Sequence, residues 1–219
     1  MKVNFLIIKK NFDMKCANYL RKKIDKSEKI LIPGGNSIKK IYNKLSKNLN
    51  YSNKIFYISD ERLKVPYNQT NYKMIKNNFI MKKKVVIKYF SYDGKKPEDI
   101  LKYYLPLPNK FDLSILSFGK DGHVSSIFFD KRYFKNFNKF EFTKHNLVKR
   151  ITISREALKN SKDIQILCLG YKRGALLKKF YNSESGIFKI FPVGLTFILD
   201  EKAFNGFVSE KKNDHIRFL

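Results

Sequence analysis

Short apolar runs rich in β-branched and aromatic residues recur along the chain, separated by longer stretches with helical spacing. Ile30-Leu31-Ile32, Ile55-Phe56-Tyr57-Ile58, Val85-Val86-Ile87, Leu113-Ser114-Ile115-Leu116 and Ile164-Gln165-Ile166-Leu167-Cys168-Leu169 each read as a buried strand. After Ser37, the apolar residues Ile38, Ile41, Tyr42, Leu45 and Leu49 fall on one stripe of helical period. Pro97, followed by Glu98 and Asp99, marks another helix start, because proline suits the first turn and carboxylates complement the helix dipole there. Alternation of this kind implies βαβ units. The expected fold is α/β: a doubly wound, mainly parallel sheet with helices on both faces.

Residues 1–219 show no internal repeat and no Gly/Ser linker, which predicts a single domain. Residues 130–149 stand apart. They are basic and aromatic, carry Tyr133, Phe134, Phe137, Phe140 and Phe142, and lack clear periodicity, so an insertion or lid beside the body is expected there.

The hydrophobic fraction of 43% supports a substantial core, while the formal charge of +27 raises the question of a nucleic-acid partner. Lysines and arginines are spread along the whole length and interleaved with asparagine and isoleucine. The pattern reads as solvated lysine faces whose field attracts a small anion, and no nucleic-acid partner is expected. No run approaches the roughly 20 apolar residues that span a bilayer. The apolar stretch in the first ten residues is too short for a signal peptide, so a cytoplasmic protein without a membrane partner is expected. Cys16 and Cys168 are far apart without ligand spacing, and Cys168 reads as a buried free thiol in a reducing setting.

The candidate chemistry lies in four motifs that each follow an expected strand: Pro33-Gly34-Gly35-Asn36-Ser37, Ser59-Asp60-Glu61-Arg62, Gly119-Lys120-Asp121-Gly122-His123 and Gly170-Tyr171-Lys172. Loops beyond the carboxyl ends of parallel strands share one edge, where ligands bind. Gly34 and Gly35 let backbone N–H groups approach an anion at a helix start; a plain turn capped by Asn36 or Ser37 is the alternative. Arg62 could clamp a phosphate or carboxylate, and Asp60 could orient a hydroxyl or move a proton. His123, one of three histidines, sits beside a carboxylate and suits proton transfer near neutral pH. Lys172 and Arg150 offer further cations. His145 and His215 fall in poorly patterned segments and receive no role. With no second histidine or cysteine at ligand spacing, no metal is expected, and no dinucleotide or Walker fingerprint calls for a cofactor.

Taken in order, these motifs resemble the 6-phosphogluconolactonase family, within the wider group that includes glucosamine-6-phosphate deaminase. The resemblance is carried by Gly34-Gly35, Ser59-Asp60-Glu61-Arg62, Val65-Pro66 with Thr70-Asn71-Tyr72, Phe111-Asp112-Leu113 leading to Gly119 through Phe128, then Arg150-Ile151-Thr152, and Gly170 with Lys172. It implies a metal-free, cofactor-free hydrolase, monomeric or a small homo-oligomer. Such an enzyme opens 6-phosphogluconolactone, a sugar phosphate, to 6-phosphogluconate in the oxidative pentose phosphate route. By position, His123 would be the general base and Asp60 and Asp121 would hold the site's geometry. Gly34, Gly35, Asn36, Ser37, Arg62, Arg150 and Lys172 would line the substrate and its phosphate.

In the deaminase, the resemblance places a glutamate five residues beyond the histidine; here Phe128 stands there. The sequence also departs from the usual lactonase pattern at Asn36-Ser37-Ile38 and at Phe129. The rival readings are an isomerase or deaminase acting on an amino-sugar phosphate, and a non-catalytic sugar-phosphate or RNA-binding protein on the same scaffold, for which base stacking on the aromatics of 130–149 would speak.

Overall fold

The computed structural model describes residues 3–48, 50–80, 85–129, 135–137, 139–191, 194–208 and 215–219. Its strands are β1 (Val3–Ile8), β2 (Lys29–Ile32), β3 (Ile55–Ile58), β4 (Asp60–Leu63), β5 (Val86–Lys88), β6 (Leu113–Ser117), β7 (Lys135–Phe137), β8 (Phe140–His145), β9 (Val148–Ile153), β10 (Ile164–Cys168), β11 (Leu195–Asp200) and β12 (His215–Phe218). Its α-helices are α1 (Phe12–Asp25), α2 (Asn36–Asn48), α3 (Asn71–Ile75), α4 (Pro97–Leu101), α5 (Arg155–Lys159), α6 (Tyr171–Asn182), α7 (Ile187–Ile190) and α8 (Glu201–Phe207). Leu49, at the end of the stripe that predicts α2, lies outside the described residues.

Eight strands form one sheet in the order β12-β1-β11-β10-β6-β2-β3-β5, and every pairing in it is parallel. The inner strands are nearly continuous apolar runs because both faces are covered. The edge strands β12 and β5 are exposed or half-buried, so Val85-Val86-Ile87, expected as a buried strand, is not buried. Alternate side chains feed two separate cores. Phe5, Ile7, Leu31 and Leu116 join the core that holds Leu177 of α6 and Phe207 of α8. Leu6, Ile8, Ile30 and Ile32 join the one that holds Leu20 of α1 and Ile41 of α2. The doubly wound α/β architecture expected from the sequence is the one observed.

Strand succession reverses between β2 and β6. From β2 the chain steps outward through β3 to β5, and from β6 it steps the other way through β10 to β11. Such a switch point leaves a crevice beyond the carboxyl ends of the two strands, because their following loops diverge.

A second, antiparallel sheet, β4-β9-β8-β7, stands beside this edge. It revises two expectations. Asp60-Glu61-Arg62, read as a loop, belongs to β4 and pairs with β9, with Arg62 opposite Arg150. Much of the segment 130–149, read as lacking periodicity, is strand: β8 and the start of β9 form a hairpin whose Phe140 packs edge-on against Tyr104. Residues 130–134, including Tyr133 and Phe134, lie outside the described residues.

The β8–β9 turn is Asn146-Leu147, with φ of 48° and 64°, the left-handed pair that a two-residue hairpin favours. Leu147 is a poor residue for that backbone and is 86% exposed, so its side chain gains little by burial. Leu147→Gly should raise the unfolding free energy by roughly 0.5–1 kcal/mol, the left-handed penalty less glycine's greater unfolded freedom. Denaturant unfolding checks this; an unchanged midpoint would show that the turn carries no such cost. Among the described residues no helix is long and apolar enough to cross a membrane.

Candidate active site

The loops after β2, β3, β6 and β10, four neighbouring strands, meet over the switch point around a cavity of about 550 Å³. Its lining brings together Gly34, Gly35, Ser37, Asp60, Arg62, Asp121, His123 and Arg150 from the residues singled out in the sequence. Convergence follows from topology: parallel strands deliver all of their following loops to one edge.

The β6 loop holds His123 tightly. The Gly119 N–H donates to the His123 carbonyl at 2.7 Å, and the Gly122 N–H to the Gly119 carbonyl at 3.2 Å. Glycine is required twice. Gly122 has φ of 86° and faces the Phe180 ring, and a Cβ on Gly119 would overlap the imidazole of His123. His123 Nδ1 is hydrogen-bonded to Asp121 Oδ1. Burial pushes the Asp121 carboxyl up, but the charge and hydrogen bond of His123 outweigh it and hold the group below the usual carboxylate range. An ionised Asp121 therefore engages Nδ1 and leaves Nε2 as the ring nitrogen for a ligand in the cleft.

Asp60 is almost fully buried and accepts from two hydroxyls: Ser59 Oγ at 3.0 Å and Ser126 Oγ at 2.6 Å. Its carbonyl accepts from Asn71 Nδ2 at 2.8 Å, and Arg150 Nη1 lies 3.9 Å from its Oδ2. These bonds tie β4, the β6 loop, α3 and β9 into one frame, so Asp60 acts here as a brace. Glu61 does the same on the other face of β4. Fully buried, it accepts the backbone N–H groups of Arg62, Asn71 and Tyr72 at 2.8, 2.7 and 2.8 Å. Burial raises its carboxyl to about 7, with the three N–H donors offsetting part of that rise.

Residues 9–195 match the model of the family described as glucosamine-6-phosphate isomerases/6-phosphogluconolactonase. The chain belongs to this family. Its fold is similar to the 6-phosphogluconolactonase of Thermotoga maritima, with a TM-score of 0.80 at 22% identity over 91% of this chain and 100% of that one. It is similar to the 6-phosphogluconolactonase of Trypanosoma brucei, at 0.75 and 18% over 94% and 99%. A monomeric glucosamine-6-phosphate deaminase is also similar, at 0.71 and 15% over 94% and 100%. No curated protein matches the chain.

Within this family member, two residues of the expected binding set stay outside the cleft. Asn36 is exposed and lines a neighbouring groove with Lys39 and Lys73. Lys172 is exposed too, and Arg173 lines the cleft instead. The reason is angular: α6 begins at Tyr171, and one residue along a helix turns the side chain by about 100°. Gly170 anchors that start by donating its N–H to Asp200 Oδ1 at 2.9 Å. Arg173 Nη1 donates to the Leu169 carbonyl at 2.8 Å, while its Nε is buried without a partner.

Sequence reasoning also passed over His145 and Asn146, which the β8–β9 hairpin carries into the cleft. Only knowledge of the hairpin register could have found them. Phe128, at the position where the resemblance sets a deaminase glutamate, packs with its ring centroid 4.8 Å from that of His123. An apolar ring there supplies no second carboxylate to the histidine.

Proposed function

We propose that the protein hydrolyses 6-phosphogluconolactone to 6-phosphogluconate, with water activated at His123. The observation that carries this reading is the His123–Asp121 pair, set in a cation-lined cleft with Phe128 beside the imidazole. A lactone is a reactive ester, so one positioned base with electrostatic support for the oxyanion suffices. His123 Nε2 takes a proton from water as the oxygen attacks the carbonyl carbon. Asp121 stabilises the imidazolium that forms. The tetrahedral intermediate collapses with cleavage of the bond to the ring oxygen, and the imidazolium returns its proton to that departing oxygen. The scheme uses only these side chains, substrate and water.

Arg62, Arg150 and Arg173 give the cleft three guanidiniums facing few anions, which favours a phosphorylated substrate. Arg173 lines the cleft where Lys172 does not, which supports it as the phosphate ligand in place of Lys172. The whole chain works as one catalytic unit, with the β8–β9 hairpin as a wall of its cleft.

The test compares 6-phosphogluconolactone with the unphosphorylated lactone. Arg173→Ala should raise KM for the phosphorylated substrate by roughly 10–100-fold, the worth of a charge-assisted hydrogen bond, with little change in kcat. It should leave the unphosphorylated lactone unaffected. Equal losses on both substrates would remove Arg173 from phosphate binding, and equal wild-type rates on both would argue against a sugar-phosphate site.

A further inference from the structure

We infer that His145 is a positioning residue that acts on His123 through their shared carboxylate, Asp121. The inference rests on the hydrolytic reading above, in which His123 must present Nε2 to water. Asp121 Oδ1 is bonded to His123 Nδ1, and its other oxygen, Oδ2, lies 3.9 Å from His145 Nε2. The two imidazole centroids are 6.2 Å apart, and each ring has a nitrogen near one oxygen of the carboxylate.

His145 is held from two sides. It closes β8, paired with Val148 across the tight Asn146-Leu147 turn, so its backbone is fixed by the hairpin. Its ring lies flat on Phe128, with centroids 4.3 Å apart and planes 10° from parallel. Phe128 in turn touches the His123 ring, so one phenyl group sets the spacing of both imidazoles.

Asp121 Oδ1 also accepts the His123 backbone N–H at 3.5 Å, so the carboxylate is held at one oxygen and can still swing about it. A polar nitrogen near the second oxygen resists that swing and keeps an ionised acceptor on Nδ1, which selects the tautomer that the base needs. Flat packing on Phe128 alone would need only a ring, whereas this role needs the nitrogen.

Two variants separate these roles. His145→Phe keeps a flat ring and removes the nitrogens; His145→Gln keeps a polar nitrogen and gives up the ring. In His145→Phe, kcat for lactone hydrolysis should fall about tenfold with KM within about twofold, as expected for a residue that orients the base. His145→Gln should recover most of that loss. Nitrogen NMR of the free protein reads the same device without substrate. His145→Phe should lower the share of His123 in the Nδ1–H tautomer, and His145→Gln should keep it.

An unchanged tautomer in His145→Phe would overturn the inference. So would a rise in KM at constant kcat, which would make His145 a substrate contact. If either variant fails to fold, the other is read by the same NMR signal. A tautomer change in a protein that does not hydrolyse the lactone would sustain the coupling and reject the hydrolytic reading instead.

Discussion

Glu61→Ala is expected to cost about 3 kcal/mol of folding stability, because three backbone N–H groups, one of them buried and two half-buried, lose their acceptor at once. No other part of the frame concentrates so many bonds on one side chain. Glu61 joins β4 to the first turn of α3, and that turn carries Asn71, whose amide fixes the Asp60 carbonyl. The loss should therefore reach the cleft as well as the global fold. Glu61→Gln should fall between wild type and alanine, since its amide nitrogen must face one of the donors.

Glu61 also sets a pH dependence. Its carboxyl, raised from 4.5 to about 7 by burial, binds a proton in the folded state at pH values where the unfolded chain has released it. Its contribution is fully present below the unfolded value and is lost as pH rises through about 7. Urea unfolding at about pH 5 and about pH 8 reads both effects. Wild type should be less stable at the higher pH, and Glu61→Gln should lose that difference. A wild type that gains stability across this window would contradict the assignment.

His123→Ala should lower lactone hydrolysis by about 10²–10⁴-fold, the usual contribution of a general base. The fold should survive, because this side chain is 26% exposed. KM should change little, since the proposed site assigns substrate binding to the guanidiniums and the glycine loop. Asp121→Asn tests the same pair more gently, leaving the ring in place while removing the charge that supports the imidazolium. Rates in His123→Ala within a few-fold of wild type would remove His123 from the chemistry.

Five strands of the sheet were legible in the sequence, because a run such as Ile55–Ile58 or Ile164–Cys168 admits no other economical reading; β11, which feeds both cores, was missed. β1 was missed too, although Val3–Ile8 is as apolar: an isolated run at the start of a chain has no preceding element to place it. β4 was hidden because Asp60-Glu61-Arg62 is charged, and such a run reads as loop unless its partners are known. Here Glu61 is satisfied by backbone donors and Asp60 by hydroxyls from residues distant in sequence.

The Asp121-Gly122-His123 loop was recognisable because its chemistry is local. Arg173 and His145 were not, for reasons of geometry. One depends on the phase of α6, and the other on the register of a hairpin within a segment without visible periodicity. Adjacent residues on a helix point in different directions, and sequence alone left Lys172 and Arg173 equally placed.

We propose that this family member opens a phosphorylated lactone. The most direct measurement gives wild-type protein 6-phosphogluconolactone and glucosamine 6-phosphate in parallel, following lactone loss above its spontaneous rate and ammonia release. Rapid lactone opening with no ammonia is the predicted result. Ammonia release without accelerated lactone opening would contradict it and place the protein among the deaminases.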